Sequence, residues 1–261
     1  MKSTYNKFLQ GLCLFILISI FLSACLNNAD KGIQDSNNKV KNDSSGYNGV
    51  FKSYRDGYLY SEVTLRNGEK NGLSLRYYPD GGINTQLFYK DGIKIDTSKW
   101  FYTNGKIYRE TPYKQGKIHG IQKKYHKDGS ILAEIPYANG KRKPGLREVS
   151  QYGNEITKYP SVVVQNQDLR SSTNTYIIHI RLSNDAKRVK FYRGSYVNEV
   201  FDVSRLEYLL TENGQSHIRF IEKPGYAGET KINLIAEYIT RLGNKKYITG
   251  KAILPSANLK Y

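Results

Sequence analysis

Gly57, Gly81, Gly105, Gly129 and Gly153 stand 24 residues apart, and Gly68, Gly92, Gly116 and Gly140 keep the same period eleven residues later. Seven of the nine follow an Asp or Asn, as in Asp56-Gly57, Asn67-Gly68, Asp91-Gly92 and Asp128-Gly129. These dipeptides are the strongest short signal for a tight hairpin, because a two-residue hairpin turn needs φ > 0 at both central positions. A fixed period marks a repeat architecture, in which each unit buries its apolar face only against its neighbours. The spacing therefore predicts an all-β array of antiparallel hairpins over residues 50–160.

The side chains repeat with the glycines. Glu62, Gln86, Glu110 and Glu134 share one repeat position, and Leu65, Tyr89, Tyr113 and Tyr137 share another. Period-two alternation places Val63 with Leu65, Leu87 with Tyr89, and Ala133 with Ile135 and Tyr137 on a buried face. The opposite parity, with Tyr60, Glu62 and Thr64, is left to meet water. The recurring Glu is expected to pair across strands with Lys or Arg. Each second strand carries an aromatic pair (Tyr77-Tyr78, Phe101-Tyr102, Tyr125-His126), predicting one ring inward and one on the outer face. The candidate binding surface is accordingly a set of outer-face aromatics, Tyr78, Trp100, Tyr102, Tyr108 and His126, since such rings supply contact area at low entropic cost. Pro112 and Pro136 occupy one repeat position and predict bulges or unpaired stretches.

The recurring form seen in Asn67-Gly68-Glu69-Lys70-Asn71-Gly72 and Gln115-Gly116-Lys117-Ile118-His119-Gly120 resembles the MORN repeat. It is more closely similar to the bacterial MORN-variant repeats of secreted lipoproteins and of YwqK-type antitoxins, over residues 52–157. Two units depart from the pattern, with Ile95-Asp96 and Pro144-Gly145 near the expected second glycine. The resemblance implies a scaffold or interaction surface. Its alternatives are an antitoxin or immunity role against a partner toxin, and contact with anionic lipid. It implies no enzyme.

The N-terminus reads as an export signal. Lys2 and Lys7 precede an apolar run from Leu12 to Leu22, the pattern of a secretory signal peptide. The run closes on Leu22-Ser23-Ala24-Cys25, which resembles the lipobox of bacterial lipoproteins. That resemblance implies removal of residues 1–24 and a diacylglyceryl group on Cys25, which makes the lipid bilayer a partner. Cys13 falls in the removed segment, so the mature chain has one thiol and no disulfide framework. Leu26 stands where Asp would imply retention at an inner membrane, so the outer membrane is favoured in a two-membraned cell. Residues 25–49, rich in Asn, Asp, Ser and Lys, are expected to form a disordered tether. The chain is thus expected at the bacterial envelope, facing the periplasm or the cell surface.

After Tyr159-Pro160 the period stops. Residues 161–261 hold strand-like runs at Val162–Val164, Tyr176–Leu182, Val189–Tyr192, Ile218–Ile221, Lys231–Thr240 and Lys246–Leu254, which predict a β-sandwich. Lys223–Thr230 is similar to the late-strand corner of immunoglobulin-like domains. The four histidines lack metal-ligand spacing, and no nucleophile elbow, phosphate loop or His-Glu-x-x-His motif occurs. No catalytic, cofactor or metal residues are expected. The net charge of +17 is spread along the chain and favours anionic surfaces. A protein or an envelope glycan is the expected partner, and nucleic acid is not.

Overall fold

The computed structural model describes residues 46–222, 230–254 and 259–260. The expected signal peptide, Cys25, most of the expected tether and the 223–229 corner lie outside the described residues.

The first part is one antiparallel meander of eleven strands. It runs β1 (Gly49–Arg55), β2 (Tyr58–Arg66), β3 (Glu69–Tyr77), β4 (Ile83–Lys90), β5 (Ile93–Phe101) and β6 (Ile107–Lys114). It continues through β7 (Lys117–Ile118), β8 (Gly120–Tyr125), β9 (Ile131–Ala138), β10 (Lys141–Arg142) and β11 (Arg147–Glu148). Strands β7 and β8 are two pieces of one rung on β6, and β10 and β11 two pieces of one rung on β9.

The two glycine series turn out to make different turns. Asn67, Asp91, Gln115 and Asn139 have φ near +50° and are followed by glycines with φ between +74° and +83°. These are the expected two-residue turns, and Asp56-Gly57 between β1 and β2 is another. Gly81, Gly105 and Gly129 also have positive φ, but Asp80, Asn104 and Asp128 before them do not. There the Gly N–H donates to a carbonyl three residues back (Tyr78, Tyr102, His126), giving a longer turn that ends in a glycine bulge. The Asx side chain serves as an acceptor: Asp80 takes the Gly82 N–H at 2.9 Å, Asn104 that of Lys106 at 3.1 Å, and Asp128 that of Ser130 at 2.8 Å.

Each repeat also carries a β-bulge, with Tyr60, Asn84, Tyr108 and Leu132 left unpaired at the same repeat position. A second irregularity sits beside the prolines. The His119 N–H donates to Pro112 O and the Lys143 N–H to Pro136 O, while Gly120 and Gly145 follow with φ of +104° and +100°. In the divergent unit Asp96 takes this place with φ of +54°, so the local path survives without glycine.

Every buried residue of β1–β11 lies on the parity of Val63, Leu87 and Ile135, here termed the inner face. The outer face is held by a charge ladder. Lys52 meets Glu62 at 2.9 Å, Lys99 meets Glu110 at 3.6 Å, and Arg147 meets Glu134 at 3.1 Å. Lys123 stands in register between Glu110 and Glu134. Tyr77 donates to Glu62 and Tyr125 to Glu110, and in the unit where Gln86 replaces the Glu, Phe101 replaces the Tyr. The recurring carboxylates are therefore structural, as the cross-strand expectation has it.

These contacts set the alkaline limit of the fold. Burial, reinforced by the bond to Glu62, pushes the Tyr77 hydroxyl up to about 12, and burial pushes that of Tyr196 to about 12. Burial and Glu110 raise Tyr125 in the same direction. A raised tyrosine pKa leaves stability intact below the ordinary value of 10.0 and removes it as the pH climbs through the folded value. Melting temperatures should therefore be level towards pH 10 and fall steeply between pH 10 and 12, with tyrosinate absorbance appearing as the fold is lost. Tyrosine ionisation completed near 10 in a still-folded chain would contradict this.

The second part contains β12 (Val162–Leu169), β13 (Thr175–Leu182), β14 (Val189–Arg193), β15 (Glu207–Leu209) and β16 (Thr211–Glu212). It ends with β17 (Gln215–Glu222), β18 (Thr230–Ile239), β19 (Lys245–Leu254) and β20 (Leu259–Lys260). One sheet has the order β12-β13-β17-β16, with β20 also on β17, and the other β15-β14-β18-β19. Ile178, Ile180, Leu182 and Ile218 from the first pack against Phe191, Leu234, Ala236 and Ala252 from the second, all nearly inaccessible. Two sheets sharing one core form a sandwich. A smaller cluster of Tyr192, Phe201 and Ile235 covers the other side of the second sheet, with Phe201 stacked 3.8 Å from Tyr247.

A candidate binding face on the repeat sheet

The strand register brings one repeat position into a row across the inner face. Arg76, Trp100, Lys124 and Glu148 are 24 residues apart, and between them stand Ser61, Thr85, Arg109 and Ala133, the partners of that position on adjacent strands. A neighbouring row holds Ser74, Ser98, Thr111 and Gln122, all buried, with the Gln122 amide donating to Thr111 Oγ1 at 3.0 Å. A third pairs Lys70 with the Tyr89 ring at 5.2 Å, Lys94 with Tyr113 at 5.3 Å, and Arg142 with Tyr137 at 5.8 Å.

The two faces differ sharply in electrostatics. Of the described outer-face cations, Arg66, Lys90 and Lys114 form no ion pair, but Lys52, Lys99 and Arg147 meet carboxylates. Among the described residues, none of Lys70, Arg76, Lys94, Arg109, Lys124 and Arg142 on the inner face does. Five of them lie over aromatic rings instead, the tightest being Arg109, whose guanidinium carbon is 3.9 Å from the Trp100 ring centre. The sixth, Lys124, donates to Asn244 Oδ1 at 2.7 Å. Burial, with Arg109 and Arg142 nearby, pushes the Lys124 amine below its ordinary value. The buried side-chain polar atoms without a partner, among the described residues, are Ser98 Oγ, Arg109 Nε and Arg142 Nε, all on this face.

The row ends at Glu148, which is fully buried. Its carboxylate accepts from Thr240 Oγ1 at 2.7 Å, Asn244 Nδ2 at 2.6 Å and Tyr159 OH at 2.9 Å. Thr240 and Asn244 bracket the turn between β18 and β19, so the sandwich closes this end of the face. Burial and the bond to Glu148 raise the Tyr159 hydroxyl. Nearby the Phe201 N–H donates to Arg142 O at 2.8 Å, and Lys141 pairs with Asp202.

The aromatics expected on the outer face lie elsewhere. Tyr78, Tyr102 and His126 sit in the longer turns along one edge. Each bonds to a main-chain carbonyl of the next repeat: Phe101 O at 2.6 Å, Tyr125 O at 2.8 Å and Val149 O at 2.9 Å. They link successive units. Tyr108 is a bulged residue packed edge-on against Tyr102, and Trp100 belongs to the inner row. Strands β3, β5 and β8 end at Tyr77, Phe101 and Tyr125, so the second member of each pair falls in the turn, where strand alternation no longer applies. Arg76, Arg109, Lys124, Arg142 and Glu148 were missed by the sequence reading. The available signal was that position 76/100/124/148 keeps the period while its chemistry changes from Arg to Trp to Lys to Glu.

Residues 70–91, 97–115 and 118–139 match the family model of the MORN repeat variant. These three segments are similar to the MORN repeat variant. The matched segments hold Lys70, Arg76, Arg109, Lys124 and Tyr137 of the inner face, while Ser61, Lys94, Arg142 and Glu148 fall outside them. No curated protein matches the chain. Elsewhere among the described residues, no group of three or more His, Cys, Asp or Glu side chains could hold a metal ion. Two depressions of about 410 and 420 Å³ lie on the sandwich, around Tyr196 and around His179. No helix among the described residues is long and apolar enough to cross a membrane.

Proposed function

We propose that this chain is a non-enzymatic binding module, held at the bacterial envelope by acylated Cys25, that offers the inner face of its MORN sheet to a partner. The observation carrying this reading is the contrast between the faces. The recurring outer-face Glu positions meet Lys52, Lys99 and Arg147, whereas Lys70, Arg76, Lys94, Arg109 and Arg142 on the inner face form no ion pair among the described residues, and Lys124 has only Glu148 near it. A face built only for folding gains nothing from such an excess, since uncompensated partly buried charge costs stability. The recurring Glu and Tyr positions are consumed by the outer ladder, which supports a scaffold over a catalytic role. Tethering rests on the lipobox resemblance at Leu22–Cys25 and on the apolar run before it. The following two-sheet domain is read as immunoglobulin-like. It closes one end of the face and leaves the rest of the array facing the envelope space.

Anchoring is tested by Cys25→Ala in the natural host. The variant should move from the membrane fraction to the soluble fraction, because two or more acyl chains are what make such attachment firm. A variant that stays in the membrane fraction after a salt wash would show that Cys25 is not the anchor.

A further inference from the structure

We infer that the inner face takes an extended acidic peptide segment of a partner protein, with the partner's carboxylates seated along the row from Arg76 through Arg109 to Lys124. The inference rests on reading this face as the binding surface and names the chemistry that it would select.

Three observations point to carboxylates on a peptide. The Arg109 guanidinium carbon sits over the Trp100 ring, 3.9 Å from its centre. A guanidinium matches a carboxylate with two parallel hydrogen bonds. The rings themselves are covered: Tyr89, Tyr113 and Tyr137 carry Lys70, Lys94 and Arg142. Bases of a single-stranded nucleic acid need open aromatic faces on which to stack, and these are occupied. The row is also closed at the Glu148 end, where Thr240 and Asn244 of the sandwich seal it. A flat bilayer cannot reach half-buried Arg109 beside that barrier, and a long polymer cannot run through it. A chain segment can enter from the open end.

The spacing suits an extended chain. Arg76 on β3 and Arg109 on β6 are three strand spacings apart, roughly 14 Å, and Arg109 and Lys124 are one spacing apart, roughly 5 Å. An extended peptide places same-side side chains about 7 Å apart. Carboxylates at alternate positions therefore come within reach of all three cations.

The test uses the full chain in a nonionic detergent and a fluorescein-labelled decapeptide of alternating Glu and Ser, read by anisotropy. Binding should weaken as salt is added. Arg109→Gln should weaken it by about tenfold, as expected for a lost hydrogen bond to a charged group. Arg76→Gln should weaken it severalfold, and Arg76 is exposed, so this variant keeps its fold. Lys99→Gln, in the outer-face ladder, should leave affinity unchanged. A peptide that does not bind, or binds all variants alike, overturns the inference. So does tighter binding of polygalacturonate or of phosphatidylglycerol vesicles than of the peptide. The two readings fail separately. If the peptide fails while a photo-crosslinker at Lys70 still captures a partner, only the peptide chemistry is wrong; if both fail, the binding face is wrong too.

Discussion

Replacing Glu148 by Ala is expected to destabilise the protein by about 3–5 kcal/mol, the usual cost of removing one member of a buried charged network. The carboxylate is fully buried and accepts hydrogen bonds from Thr240, Asn244 and Tyr159. Without it, donors from the sandwich and from the linking segment are left facing one another with no acceptor. Two buried amines would lose their compensating charge as well. Lys246, whose amine is lowered by burial and supported by Glu148, lies 3.8 Å from the Tyr159 ring centre, and Lys124 reaches the same Asn244. Glu148→Gln keeps the shape and one acceptor, and should cost less. Urea unfolding measures both. A loss below about 1 kcal/mol for the Ala variant would mean that water replaces the carboxylate and that the junction is not a buried network.

Gly120→Val is expected to cost about 2–3 kcal/mol, because a β-branched side chain is forced to a positive φ against a neighbouring ring. Gly120 has φ of +104°, and a Cβ there would stand 3.3 Å from Pro112 Cγ. The chain contains its own control. Asp96 occupies the corresponding place one repeat earlier at φ of +54°, within reach of Asp and Asn. Asp96→Gly should therefore change stability by no more than about 0.5 kcal/mol. Equal losses at the two sites would refute a backbone origin for the repeat's second glycine.

These two sites also show what could be read from sequence. The 24-residue period and the Asx-Gly pairs specified hairpins directly, since few other residues tolerate such turns, and the alternation of Val63, Leu87 and Ile135 identified the inner face. All six strand runs expected after residue 160 are present as β12, β13, β14, β17, β18 and β19. The turn chemistry was only half legible. Asp80 and Asn67 look alike in sequence, yet one is an acceptor for a backbone N–H and the other holds a left-handed residue. The binding face was harder to see. Each aromatic pair straddles the end of its strand, so Tyr78, Tyr102 and His126 fall in turns and not on the outer face. Arg76, Arg109 and Lys124 are far apart in sequence, and only the strand register sets them in one row. The Glu148–Asn244 contact joins the repeat sheet to the β18–β19 turn across 96 residues, a separation that no local pattern records.

The most direct test of the account is site-specific photo-crosslinking in the cells that make the protein. Benzoylphenylalanine would replace exposed Lys70 on the inner face or exposed Ile121 on the outer face. The account predicts a discrete adduct from position 70 that disappears in the Arg109→Gln background, and none from position 121. An adduct from position 121 alone, or from position 70 regardless of Arg109, would contradict it.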